Sequence, residues 1–200
     1  MPPAEILIAR SSIAARVRAL AGALSTVYAS TAQPPVLISV LQGSALFTAD
    51  LMRSIAIDIA VDFISISSYA HSGSHSGVVK IVKDVEIDLS DRDVVIVEDI
   101  VDTGLTLNYL RRSLTERGPR SLRTITLLDK TVRRLVPVPV EFVGFEIPDV
   151  FVVGYGLDFQ GRYRNAGDIL VVRDLARLAN EPDLLVGSLW PRHGLRRQPT

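Results

Sequence analysis

The sequence predicts an α/β fold, a mostly parallel sheet flanked by helices, on three observations. Val94 to Val97 is an unbroken β-branched run and Val36 to Leu41 is nearly as apolar, as expected of strands covered on both faces, and Leu122 to Leu128 reads as another buried strand despite Arg123, Thr124 and Thr126. The first two runs lead through a short turn into a stretch of helical spacing, the unit from which parallel sheets are built. All three end in polar or charged groups, Gln42-Gly43-Ser44, Glu98-Asp99 and Asp129-Lys130, at the strand edge where such sheets bind ligands.

Each element follows from its local pattern. Glu5 to Ala9 reads as an opening strand, and Ser11 or Ser12 offers an N-cap to a helix whose apolar stripe is Ile13, Val17, Leu20, Leu24 and Val27. Pro34-Pro35 precedes the strand Val36 to Leu41, and the helix after it carries Leu46, Leu51, Met52 and Ile55. Asp58 to Ser67 has the β-branched and aromatic character of a strand. Ser68 to Gly77 is too rich in Ser and Gly to pack and reads as a mobile flap before a strand resumes at Val78 to Val82. The strand from Val94 opens through Asp102 to Thr106 onto a helix over Leu107 to Arg117. Val140 to Phe145, Val150 to Val153 and Ile169 to Val172 are short strands, with Gly154 to Asp158 a loop. The expected division is a domain over 1–173 and a loosely held extension over 174–200, whose end is basic and carries Pro and Gly.

Composition bounds the chemistry. Nearly half of the 200 residues are hydrophobic, enough for one full core, and the formal net charge is zero, so no nucleic acid or anionic membrane is expected as a partner. The absence of cysteine excludes thiol catalysis and Cys-ligated metal and fits a reducing compartment. With no apolar run long enough to span a bilayer and no secretory pattern at the start, the expected location is the cytoplasm.

Asp93 to Asn108 carries the most chemistry. It has no Walker GxxxxGK[ST] pattern, and Gly154-Tyr155-Gly156 lacks the third glycine of a dinucleotide fingerprint. A phosphate can still be held at the Asp102 to Thr106 turn, where backbone N–H groups at a helix start meet two threonine hydroxyls. Glu98 and Asp99 would repel that phosphate but suit vicinal hydroxyls, directly or through Mg²⁺. Phosphate beside a diol points to phosphoribose.

The stretch VVIVEDIVDTGLTL is similar to the phosphoribosyl-diphosphate-binding signature of type I phosphoribosyltransferases. VLQGSALFTADL, SYAHSGSHSG, LLDKTVRR and EFVGFEIPDVFVVGYGLDFQGRYRN resemble the hypoxanthine-guanine phosphoribosyltransferases in the same order, from about Glu5 to Val172. The resemblance implies a type I phosphoribosyltransferase-like fold with a small hood built from the chain ends. It also implies an enzyme of purine salvage that joins phosphoribosyl diphosphate to a 6-oxopurine base, with Mg²⁺ as cofactor and a homodimer or homotetramer as the assembly. Glu98 and Asp99 would take the ribose hydroxyls and metal, and Asp102, Thr103, Gly104, Leu105 and Thr106 the 5′-phosphate. Gln42, Gly43 and Arg164, with Arg134, would face the diphosphate. Asp102 would be the general acid/base at purine N7, with helix capping as its structural alternative. Lys130 would donate to the 6-oxo group, Phe151 would stack on the base, Val152 would meet its edge, and Asp158 would serve both base and a second Mg²⁺. Ser68 and Tyr69 match the flap signature, the flap serving to exclude water from the reactive complex.

The chain departs from the pattern where Gln42 replaces a commonly basic residue, where Leu105 replaces a polar or basic one, and where Ala166-Gly167-Asp168 replaces a Leu-Pro pair. Gln42 and the basic tail keep open a second reading, a non-catalytic regulatory protein of the same fold that binds nucleotide or nucleic acid. A receiver-type signalling domain also pairs acids with a strand-end lysine, but it has no place for the flap or for Glu141 to Asn165.

Overall fold

The computed structural model describes residues 3–68 and 79–190. Tyr69 and most of the expected flap lie outside the described residues. A six-stranded sheet forms the centre, from β2 (Val36–Leu41), β3 (Ala60–Ser68), β4 (Val79–Lys83), β5 (Asp93–Val101), β6 (Ser121–Asp129) and β7 (Phe142–Glu146). Its order is β4-β3-β2-β5-β6-β7, all neighbours parallel except the β3–β4 edge pair. Helices α1 (Arg10–Tyr28) and α2 (Ala45–Ser54) cover one face and α3 (Leu105–Thr115) the other. Leu37, Val95, Val97 and Leu127 join the α1/α2 core, while Ile38, Val94 and Ile96 join Leu107, Leu110 and Leu114. That two-sided burial is why β5 has no polar alternation.

A smaller antiparallel sheet of order β1-β9-β8 forms the hood, from β1 (Ala4–Ile8), β9 (Ile169–Val172) and β8 (Val152–Val153). Two short helices follow, α4 (Leu175–Asn180) and α5 (Val186–Leu189). Leu178 and Leu185 are fully buried there with Val153, Leu170 and Val172, so the described part of the extension packs onto the hood.

Several local expectations are corrected. Neither Ser11 nor Ser12 caps α1, which starts at Arg10 with no side-chain cap from its own chain neighbours. Arg10 instead donates its backbone N–H to Asp168 Oδ1 at 2.7 Å, so the cap comes from a residue brought in by the hood. Tyr28 continues the buried stripe and Val27 faces out, and on α2 the buried residues are Phe47, Thr48 and Leu51 while Leu46 and Met52 are exposed. Beyond Val97 the strand β5 does not stop but carries Glu98 and Asp99 within it, and α3 begins at Leu105, two residues early. A single 3₁₀ turn, Thr131–Arg133, follows β6.

Parallel pairing sets the site. Val101 lies opposite Asp129, and the Lys130 N–H donates to the Val101 carbonyl at 2.9 Å, so the ends of β5 and β6 stand side by side. The turn after β2 reaches the same edge, since β2 runs parallel to β5.

Candidate active site

At that edge two clefts adjoin. One, of about 330 Å³, is lined by Gln42, Gly43, Glu98, Asp99, Thr103, Gly104, Thr106 and Arg164; the other, of about 560 Å³, by Lys130, Phe151, Val152 and Leu157. Asp99, Ile100, Asp102 and Asp158 border both. Leu105, expected to contribute through its backbone, has a half-exposed side chain that lines neither cleft, and its N–H reaches back to Thr103 Oγ1 at 3.4 Å. Ser68 closes β3, and its side chain lies outside the described residues.

The turn after β5 is built for close approach. Gly104 has φ +82, and a Cβ there would stand 2.9 Å from Arg134 Cδ, so both conformation and space call for glycine. The Thr103 carbonyl accepts from the N–H groups of Leu135 (2.9 Å) and Val136 (3.4 Å), which straps the turn from behind. The N-cap Gly104 has no side chain to cap α3 and Asp102 is not a cap, so beyond the Leu105 N–H, which Thr103 Oγ1 accepts, the amides of Thr106 and Leu107 are left for a ligand.

The turn after β2 and the loop after β8 interlock. A Cβ on Gly43 would fall 1.7 Å from Asp99 Oδ2, and one on Gly156 would fall 2.1 Å from the Gly43 carbonyl oxygen. Arg164 ties the same pieces together, donating to the Gly156 carbonyl (2.5 Å) and the Gln42 Oε1 (3.4 Å) and pairing with Asp158 (2.8 Å). The Leu41–Gln42 peptide is cis. Beneath it the fully buried Ser39 hydroxyl bonds Ser44 and Thr48, each at 2.8 Å, and Ser44 donates to the Val40 carbonyl. Sequence reading passed over this network, although a serine inside an apolar strand is the signal for it.

Arg134, expected to face the diphosphate, pairs instead with buried Asp129 and donates to the Asp102 carbonyl at 3.2 Å, so it braces the loop and lines neither cleft. Its neighbour Arg133, not singled out from the sequence, does line the larger cleft. Arg133 Nε stands 3.3 Å from Asp102 Oδ1, and the Lys130 ammonium stands 3.7 Å from Oδ2. Asp102 Oδ1 is buried and accepts no hydrogen bond. Phe151 meets Phe159 edge-on, ring centres 6.0 Å apart, which orients its ring at the cleft wall.

The acidic pair is held under electrostatic tension. Burial, then the charge of Asp99, pushes the Glu98 carboxyl well above its usual range. Burial also raises Asp99 to about 6, against the pull of the Ile100 N–H and Arg164. A raised folded-state value means that the stability contribution is full below the ordinary value of 3.8 and is lost as pH rises through about 6. Asp99→Asn is therefore expected to raise the melting temperature of the ligand-free protein at pH 7.5 by roughly 5 °C. The gain should shrink steadily as pH falls from 6 toward 4; scanning calorimetry across that range checks it, and a gain independent of pH would contradict it.

Comparison with known proteins agrees with this geometry. The phosphoribosyl transferase domain family matches residues 10–160. The chain is 48% identical over 165 residues to the hypoxanthine-guanine phosphoribosyltransferase of Mycobacterium tuberculosis (strain ATCC 25618 / H37Rv), covering 80% of this chain and 82% of that one. It is 47% identical over 161 residues to the hypoxanthine phosphoribosyltransferase of Escherichia coli (strain K12), covering 80% and 90%. Among solved structures, Trypanosoma cruzi hypoxanthine phosphoribosyl transferase aligns with a TM-score of 0.83 at 40% identity, over 89% of this chain and 95% of that one. Family match, relatives and site geometry converge: this chain belongs to the phosphoribosyl transferase family.

Proposed function

We propose that the chain is a purine salvage enzyme that transfers the 5-phosphoribosyl group from phosphoribosyl diphosphate to N9 of hypoxanthine or guanine, giving IMP or GMP and diphosphate. One observation carries the reading: a single strand-edge cleft divides into an acidic, amide-rich half suited to a sugar phosphate and an apolar half with a buried lysine suited to a 6-oxopurine. The names of the relatives support it. They lend nothing to the non-catalytic alternative.

The residues divide the chemistry. As the anomeric C–O bond breaks, positive charge grows on the ribose and negative charge on the departing diphosphate. Arg164 and the amides of the Gln42-Gly43 turn face that negative charge, and the Thr103 to Thr106 amides and hydroxyls hold the 5′-phosphate. Asp102 accepts the proton at purine N7, and Lys130 donates to the 6-oxo oxygen while its charge steadies Asp102 across 3.7 Å. Adenine would present a 6-amino donor to the Lys130 donor, leaving both without an acceptor. Phe151 covers one face of the ring, and Val152 offers its backbone to the base edge.

Magnesium fits these residues. Glu98, Asp99 and Asp158 are the oxygen donors that would hold it, and the raised proton affinity of the buried pair marks carboxylates short of compensating charge. Among the described residues no three His, Cys, Asp or Glu side chains stand together as a ready-made metal cage, so waters and substrate oxygens would have to complete the shell of the ion. When bound, Mg²⁺ supplies positive charge to the diphosphate.

No helix among the described residues is long and apolar enough to cross a membrane, which suits a cytoplasmic enzyme, and a homodimer or homotetramer is the expected assembly. The testing experiment assays turnover with Mg²⁺ and phosphoribosyl diphosphate against hypoxanthine, guanine, xanthine and adenine. Hypoxanthine or guanine should be converted and adenine should not. Turnover of none would overturn the enzyme reading, and turnover of adenine alone would overturn the role of Lys130.

A further inference from the structure

We infer that the segment after β9 completes the base half of the cleft, with Leu175 as an additional residue packed against the purine. This rests on the reading above. The family match ends at residue 160, so the family pattern itself does not reach this segment.

Leu175, the first residue of α4, is 41% exposed, yet it borders the cleft alongside Lys130, Phe151 and Val152. An exposed leucine at the mouth of a pocket whose apolar wall is Val150, Phe151, Val152 and Leu157, alongside charged groups such as Lys130 and Asp102, offers a cover for a flat ring that would otherwise keep one edge in water. Its position is firmly set. Asp174 accepts the Arg177 N–H at 2.8 Å and so starts α4 at a defined residue. One turn on, Leu178 is wholly buried in the hood core, and the i,i+3 relation puts Leu175 on the same side of the helix, just outside that core and at the cleft.

A second set of contacts holds the segment down at its far end. The Tyr163 hydroxyl donates to the Pro182 carbonyl, the Tyr163 and Trp190 rings stack with centres 6.3 Å apart and planes 8° from parallel, and Arg162 pairs with Asp183 at 2.5 Å. Residues 162 and 163 immediately precede Arg164, which faces the sugar-phosphate half of the cleft. The segment is thus fastened at both ends to the body that carries the site, with Leu175 held over the base.

The test is steady-state kinetics on the full chain carrying Leu175→Ala, varying the base at saturating phosphoribosyl diphosphate and then the reverse. Removing most of an apolar side chain from the ring should raise KM for hypoxanthine or guanine by about 5-fold or more. KM for phosphoribosyl diphosphate should stay within about 2-fold, and Leu175→Met should restore the base KM. An unchanged base KM in a protein with the wild-type melting temperature overturns the inference, as does an equal rise in both KM values. Wild-type protein that turns over no base removes the parent reading and this inference together. Active wild-type protein with a Leu175→Ala variant of unaltered base KM removes the inference alone.

Discussion

Asp102→Asn is expected to lower kcat on the order of 10³-fold while moving KM for phosphoribosyl diphosphate by less than about 3-fold. The asymmetry comes from position. Asp102 is at the junction of the two clefts, does not cap α3, and has Oδ1 buried without a hydrogen bond beside the Arg133 cation while Oδ2 faces Lys130. An amide of the same shape keeps the backbone turn, so the phosphate cradle from Thr103 to Thr106 survives. What it loses is the charge opposite two cations and, with it, the proposed acceptor for the N7 proton. Pre-steady-state measurement of the chemical step against each substrate separates these effects. Comparable losses in kcat and in phosphoribosyl diphosphate affinity would make Asp102 a structural member of the turn.

Gly43→Ala should be nearly as damaging, with turnover down on the order of 100-fold, chiefly through weakened use of phosphoribosyl diphosphate. The added methyl would fall 1.7 Å from Asp99 Oδ2, far inside any contact distance, so either the turn or the carboxylate must move. Neither can do so alone. Gly156 approaches the Gly43 carbonyl too closely to admit a Cβ of its own, and Arg164 joins Gln42, Gly156 and Asp158. Displacement at Gly43 is thereby passed to the loop that leads into the base half. Kinetics with each substrate varied would check this, and a variant with wild-type KM for phosphoribosyl diphosphate would show that the turn yields without consequence.

Much of the site was legible in the sequence because its parts are local. Glu98 and Asp99 follow an apolar run that can only be a covered strand, and Asp102 to Thr106 is a glycine-centred hydroxylic turn ahead of a helix. Strand ends, turns and helix starts are defined by neighbouring residues, so their chemistry can be read along the chain. Leu105 shows that such a reading locates the backbone of a motif and not the direction of each side chain. It lies within the motif, but the helix begins at it and rotates its side chain away from the cleft.

Arg133 and Arg134 differ in a way no local rule predicts. They are adjacent and chemically alike, yet one lines the cleft against Asp102 and the other is taken up by Asp129. The same is true of the cap on α1, which comes from Asp168 and not from the serines beside it.

The sequence by itself determined the class of fold, the order of strand, turn and helix, and the residues that line the acidic, amide-rich cleft proposed for the sugar phosphate, because hydrophobic period and turn chemistry act over a few residues. Only the tertiary structure decided which of two like side chains lines the cleft, how Gly43 and Gly156 come to touch, and that Leu175 borders the cleft beside Lys130 and Phe151. Those outcomes depend on pairings between residues far apart in the chain, and close packing and charge settle them only once the sheet and its hood are assembled.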